Sequence, residues 1–141
     1  MSGPFAELVA AARAVRTRSY SPYSHFAVGA ALLGVSGRIH AGTNVENASF
    51  GLSICAERAA LCRAIADGER EFTAIAVVTA EGRPTPPCGA CRQALQEFAP
   101  GLTILLAGAG GLVEEWTLAD LLPRAFTTFD GAGTSPGGGK E

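Results

Sequence analysis

The stretch FTAIAVVTA, residues 72–80, is a nearly continuous apolar run of strand length. A strand with one buried face alternates apolar and polar side chains, so an unbroken run implies cover on both faces. Such a strand belongs to a sheet sandwiched between helices, and the segments around it agree. Upstream, Ile54, Leu61, Cys62 and Ile65 form the apolar stripe of a helix with Ser53 as N-cap and a stop at Asp67-Gly68. Downstream, Cys91, Ala94, Leu95 and Phe98 fall at i, i+3, i+4 and i+7, a helix ending at Pro100-Gly101.

Further out, LTILLA (102–107) reads as a second buried strand. LVEEWTL (112–118) reads as an edge strand after the plain glycine turn GAGG, and a brief helix follows around LADLLP (118–123). Towards the N-terminus, FAVGAALLGVSGRIHAGTNV (26–45) holds two β-compatible runs about Ser36-Gly37, a hairpin. Before it, Phe5, Leu8, Val9, Ala12 and Val15 recur at helical spacing. Arg13, Arg16 and Arg18 crowd that helix's C-terminal half, where cations suit its dipole, and the turn-forming SYSPYS closes it. The order α-β-β-α-β-α-β-β-α predicts an α/β fold: a three-layer α-β-α arrangement about a central mixed five-stranded sheet. Residues 1–128 are expected to form one domain, and the Gly-rich residues 129–141 a flexible tail.

The chain of 141 residues is long enough for one core, and 48% apolar against 17% charged residues place it among globular proteins. A net charge of −2 offers no basic footprint for nucleic acid or anionic lipid, and no apolar run approaches a membrane span. The N-terminus lacks a signal-peptide h-region, so a cytoplasmic setting with reduced thiols is expected, which disfavours disulfides.

Against that background SICAER (53–58) and PPCGACRQ (86–93) stand out. Cys88-x-x-Cys91 is a frequent zinc half-site, and both it and Cys55 fall where helices are expected to begin. Helix N-termini ease the build-up of negative charge, so two of them can converge on one ion with three sulfur ligands. Cys62 lies roughly 10 Å further up the Cys55 helix. Bonds of about 2.3 Å cannot span that, which leaves Cys62 as a small core residue and one coordination position open. An open position marks a catalytic zinc, where a water can bind and lose its proton near pH ~7. Glu57 alone would be a first-turn carboxylate complementing the helix dipole; beside three thiols it becomes a candidate acid and base. Three thiolates on Zn²⁺ carry a net negative charge that needs an offset. Arg58, Arg92 and Gln93 follow the ligand segments, and Arg58 above all is expected to bond to ligand sulfurs, with Gln93 as a further donor.

The motifs YSPYSHFAVGAAL (20–32), TNVENASFGLSICAERAAL (43–61) and PCGACRQALQEF (87–98) together resemble the zinc-dependent cytidine and deoxycytidylate deaminases. Most branches of that superfamily use histidine as the first ligand; Cys55 in its place resembles the small homotetrameric branch. The resemblance implies hydrolysis of cytidine and 2′-deoxycytidine to uridine products and ammonia in pyrimidine salvage, by zinc-activated water with Glu57 shuttling protons. It also implies that Asn44 and Glu46 contact the ribose, that Phe26 packs on the pyrimidine, and that the Ala56 backbone holds the base edge. Sites completed across subunits of a homotetramer are implied too, with Phe126 approaching a neighbour's base. Phe50 stands where relatives often carry tyrosine. His25 and His40 fall outside every ligand motif and read as surface or strand residues. Three rivals have less support. A blasticidin-type deaminase would lack the ribose clamp of NVEN, a polynucleotide deaminase would carry a basic channel, and a structural zinc domain would need Cys62 as fourth ligand.

Overall fold

The computed structural model describes residues 3–80 and 82–128; the expected tail, residues 129–141, lies outside them. Helix α1 spans Pro4–Arg16, β1 Val28–Gly34, β2 Ile39–Thr43, α2 Ala56–Ala66 and β3 Phe72–Thr79. Then come α3 Gly89–Gln96, β4 Thr103–Ala107, β5 Val113–Thr117 and α4 Leu118–Leu121, with a single 3₁₀ turn at Phe50–Leu52. The strands form one five-stranded sheet in the order β2-β1-β3-β4-β5. Only β3 and β4 pair in parallel, joined by the crossover through α3; the other neighbours are antiparallel.

The apolar run of β3 is buried from Ala74 to Thr79, as cover on both faces requires. Its two faces differ in size. Ala74, Ala76 and Val78 join Ala31, Leu33 and Leu105 beneath Leu8, Val9 and Ala12 of α1. Ile75 and Val77 join Leu32, Ile104 and Leu106 beneath α2 and α3. A one-residue slip would exchange small for large side chains in both layers, so volume fixes the register where polarity cannot. Two glycines tighten the layers. A Cβ on Gly29 would lie 2.0 Å from the Ala12 carbonyl oxygen, and one on Gly42 would lie 2.3 Å from the Ala60 nitrogen. Helices α1 and α2 therefore rest directly on the backbones of β1 and β2.

Helix α2 corrects two expectations. It begins at Ala56 with Cys55 as N-cap, not Ser53. Val45 and Ile54 exchange backbone hydrogen bonds of 2.9 and 2.8 Å, which hold residue 54 extended and delay the helix. Its buried face is Ala56, Glu57, Ala60, Leu61 and Ala64, small residues that suit the close approach at Gly42. Cys62 falls off that stripe and is exposed, and Ile54 is 45% exposed. Helix α3 is also shorter than expected, ending at Gln96, with turn bonds from Phe98 and Ala99 back to Leu95.

Candidate active site

Helices α2 and α3 start side by side, each with a cysteine in the N-cap position, Cys55 and Cys88. Neither sulfur caps its own helix, and both backbones are extended there. The thiols are thus free to face each other: Cys55 Sγ lies 3.9 Å from Cys88 Sγ, and Cys88 Sγ 3.4 Å from Cys91 Sγ. All three sulfurs lie within 4.8 Å of one another. Tetrahedral zinc with bonds of about 2.3 Å sets its sulfur ligands about 3.8 Å apart. The cluster fits such an ion within the small movement that ligation brings. Burial, and then the Glu57 carboxylate, push the Cys91 thiol up. A cluster this crowded needs a cation before all three sulfurs can carry charge.

Arg58 is one turn from Cys55, and its Nη2 donates to Cys55 Sγ at 3.8 Å, as its sequence position suggested. Arg92 goes elsewhere. Its Nε donates to the Pro87 carbonyl at 2.9 Å and its Nη1 to the Leu121 carbonyl at 2.7 Å, pinning the residue before Cys88 to α4.

Glu57 is only 6% exposed, in the first turn of α2. Burial pushes its carboxyl above the usual range, against the opposing pull of its own backbone N–H and of Arg58. It opens onto a cavity of about 340 Å³, within the range of small-molecule sites. Cys55, Ala56 and Cys88 share that cavity with it, and so do Phe26, Asn44 and Glu46. Residues from three separate motifs therefore meet at one place. Ala56 is the first residue of α2, so its N–H has no intrahelical acceptor and points outward from the helix end.

The family model described as "cytidine and deoxycytidylate deaminase zinc-binding region" matches residues 5–107. The chain belongs to that deaminase family. The cytidine deaminase of Halalkalibacterium halodurans is 49% identical over 124 residues, 87% of this chain and 94% of that protein. The Sporosarcina psychrophila enzyme of the same name is 46% identical over 125 residues, 88% of this chain and 92% of its own. The crystal structure of the Burkholderia pseudomallei cytidine deaminase superposes with a TM-score of 0.84 at 48% identity, covering 89% of this chain and all of that one.

In this member of the deaminase family, several residues of the cavity wall were not singled out in the sequence. Val28, Val77 and Thr79 line it, with Thr85 and Pro86 from the segment before Cys88. Thr79 is 1% exposed, and its hydroxyl has no hydrogen-bond partner among the described residues. A signal existed: it is the polar residue ending an apolar strand, at the carboxyl end where α/β sheets place ligands.

Asn44 and Glu46 do more than face the cavity. Asn44 Oδ1 accepts from Ser19 Oγ at 2.6 Å and from Val28 N at 2.9 Å, and its Nδ2 donates to the Phe26 carbonyl at 2.8 Å. One amide N–H is left for any other partner. Gln93 Nε2 donates to the Phe126 carbonyl at 2.7 Å, tying α3 to the C-terminal segment rather than touching a sulfur. Phe126 is 61% exposed and does not line this chain's own cavity.

Proposed function

We propose that the protein hydrolyses the 4-amino group of cytidine and 2′-deoxycytidine, consuming one water and releasing ammonia and the uridine product. One observation carries this reading: the buried Glu57 carboxylate shares a single cavity with the thiols of Cys55 and Cys88. Zinc held by Cys55, Cys88 and Cys91 would supply Lewis acidity, lowering the pKa of water so that a nucleophile is available at neutral pH. Glu57 takes a proton from the attacking water as C4 becomes tetrahedral. It passes that proton to N3, then takes the proton of the new C4 hydroxyl and delivers it to the amine as the C4–N bond breaks and the C4 carbonyl forms, the exchange expected of a carboxyl whose burial makes it a better base. Arg58, bonded to Cys55, moderates the negative charge of the sulfur cluster. The free N–H of Ala56 holds the base edge in this reading, and the Phe26 ring packs on its face. Asn44 and Glu46 meet the sugar.

The assembly we propose is a homotetramer in which Phe126 of one subunit closes the site of another; its exposure in the isolated chain supports this. No described helix is long and apolar enough to cross a membrane. We place the enzyme in the cytoplasm, in pyrimidine salvage, acting on free nucleosides without nucleic acid as partner.

An absorbance assay of zinc-loaded protein on cytidine, 2′-deoxycytidine, cytosine and CMP tests the reading, with turnover expected on the two nucleosides. Glu57→Gln should bind zinc and fold as before yet lose kcat by about 10³-fold or more. A Gln variant that turned over normally would take Glu57 out of the mechanism.

A further inference from the structure

The part of the cavity wall that carries Phe26 and Glu46 is held by an unbroken set of hydrogen bonds running from Glu46 to Phe26. Glu46 Oε1 accepts from the backbone N–H groups of Tyr23 and Ser24, at 2.9 and 3.1 Å. The Ser24 hydroxyl donates to Glu46 Oε2, and Ser24 Oγ in turn accepts from Phe26 N at 3.0 Å. On its other side Phe26 is held through its carbonyl by Asn44 Nδ2. Between the two, His25 takes φ 58°, a left-handed conformation uncommon for a residue with a Cβ. That conformation turns the chain so that Phe26 joins the cavity lining. Glu46 borders that cavity and a second one beside it, which Tyr23, Ser24, Phe50 and Ser53 line.

We propose that Ser24 is a positioning residue that couples sugar recognition at Glu46 to the placement of the Phe26 ring over the base. The inference rests on the reading of Glu46 as a sugar contact. A hydroxyl suits what Ser24 does here, since one oxygen both donates strongly to the carboxylate and accepts from Phe26 N. Bonds to a carboxylate are short and strong, and linked bonds polarise one another. The Ser24 hydroxyl is the first cause holding the Glu46 carboxyl below the usual range, because its O–H stabilises the charged form. A sugar hydroxyl donating to Glu46 draws on the same carboxylate, and Ser24 passes that change to the backbone of Phe26. Sugar and base are thus recognised together rather than as two independent contacts.

The test compares kcat and KM for cytidine and 2′,3′-dideoxycytidine in zinc-loaded wild type, Ser24→Ala and Ser24→Thr. Wild type is expected to favour cytidine in kcat/KM. Ser24→Ala should cut that preference about tenfold, the worth of one charge-assisted bond, through KM and with kcat within about twofold. Ser24→Thr, which keeps the hydroxyl, should restore it. Should the Ala variant be insoluble, Ser24→Cys, a weak donor and acceptor of similar size, should show the same loss. An Ala variant that loses equal factors on both substrates would mark Ser24 as merely structural and overturn the coupling. A Thr variant that behaves like Ala would overturn it too. A wild type indifferent to the sugar hydroxyls would fail differently, removing the sugar reading of Glu46 and this inference with it.

Discussion

The thiol corner and the loop wall line one cavity but are built in opposite ways. At the corner, each half is local: Cys88 and Cys91 share the start of one helix and Arg58 sits one turn from the sulfur it bonds, and a single long-range meeting, of Cys55 with Cys88 33 residues on, joins the halves. On the wall, Asn44 bonds to partners 16, 18 and 25 residues away, and Glu46 to partners 22 and 23 away. The corner offers three thiols that could hold an ion, whereas the wall is tied together by the chain's own polar groups. Damage to the corner should therefore remove a ligand, and damage to the wall should loosen a scaffold.

Cys88→Ala breaks the comparison most severely. With one sulfur gone the variant should retain no stoichiometric zinc by metal analysis. Stability should fall with it, since a ligand at a hundredfold its Kd contributes about 2.7 kcal/mol to the folded state. For a domain of this size that is about 10 °C in Tm. Wild type stripped by a chelator should melt near the variant. Full zinc content in Cys88→Ala would refute the ligand assignment.

Asn44→Ala strikes the wall instead. Three hydrogen bonds are lost from an 8% exposed amide, and at about 1 kcal/mol each the variant should be about 2–3 kcal/mol less stable in urea while keeping its zinc. KM for cytidine should rise about tenfold, and the response to free cytosine should be smaller. A raised KM with unchanged stability would mean the amide serves the sugar and not the scaffold.

This contrast also explains what could be read from the sequence. Spacing at a helix start is rigid, so Cys88-x-x-Cys91 and the position of Glu57 near Cys55 make a thiol cluster with a carboxylate beside it legible. The apolar run of β3 announced cover on both faces for the same local reason. Pairings across the sheet leave no such trace. The mutual bonds of Val45 and Ile54 moved the start of α2 from Ser53 to Cys55, and the contact of Gly42 with Ala60 turned Cys62 outward. The wall's roles for Ser19 and Ser24 were invisible for want of any periodic signal. His40 reads from its sequence as a surface or strand residue; in the fold it lies on β2, 2% exposed and between two carboxylates.

That histidine supplies the mildest test, because it separates fold from site. His40 pairs with Leu32, towards the turn end of the β1–β2 hairpin, away from Val28 and Asn44. Its ring nitrogens lie 2.8 Å from Asp67 Oδ2 and 2.7 Å from Glu69 Oε1, and Glu69 Oε2 accepts from Ser36 N at 3.0 Å. Gly34 leaves room for the carboxylate, since a Cβ there would lie 2.0 Å from its carbon. The bond from His40, then those from Ser36, hold the Glu69 carboxyl down to about 2 from an ordinary 4.5. A depressed carboxyl stabilises the folded state fully above its unfolded value and loses that contribution as pH falls towards the folded one. Wild-type stability should therefore drop between pH 4.5 and about 2. Glu69→Gln should be less stable at pH 7 and flatter across that window, with kcat/KM at pH 7 unchanged. Zinc leaves its thiolates in acid in both proteins, so the difference between the two denaturation curves isolates Glu69. Parallel curves would remove Glu69 from the acid response, and a lowered kcat/KM would show that the turn end of the hairpin reaches the wall after all.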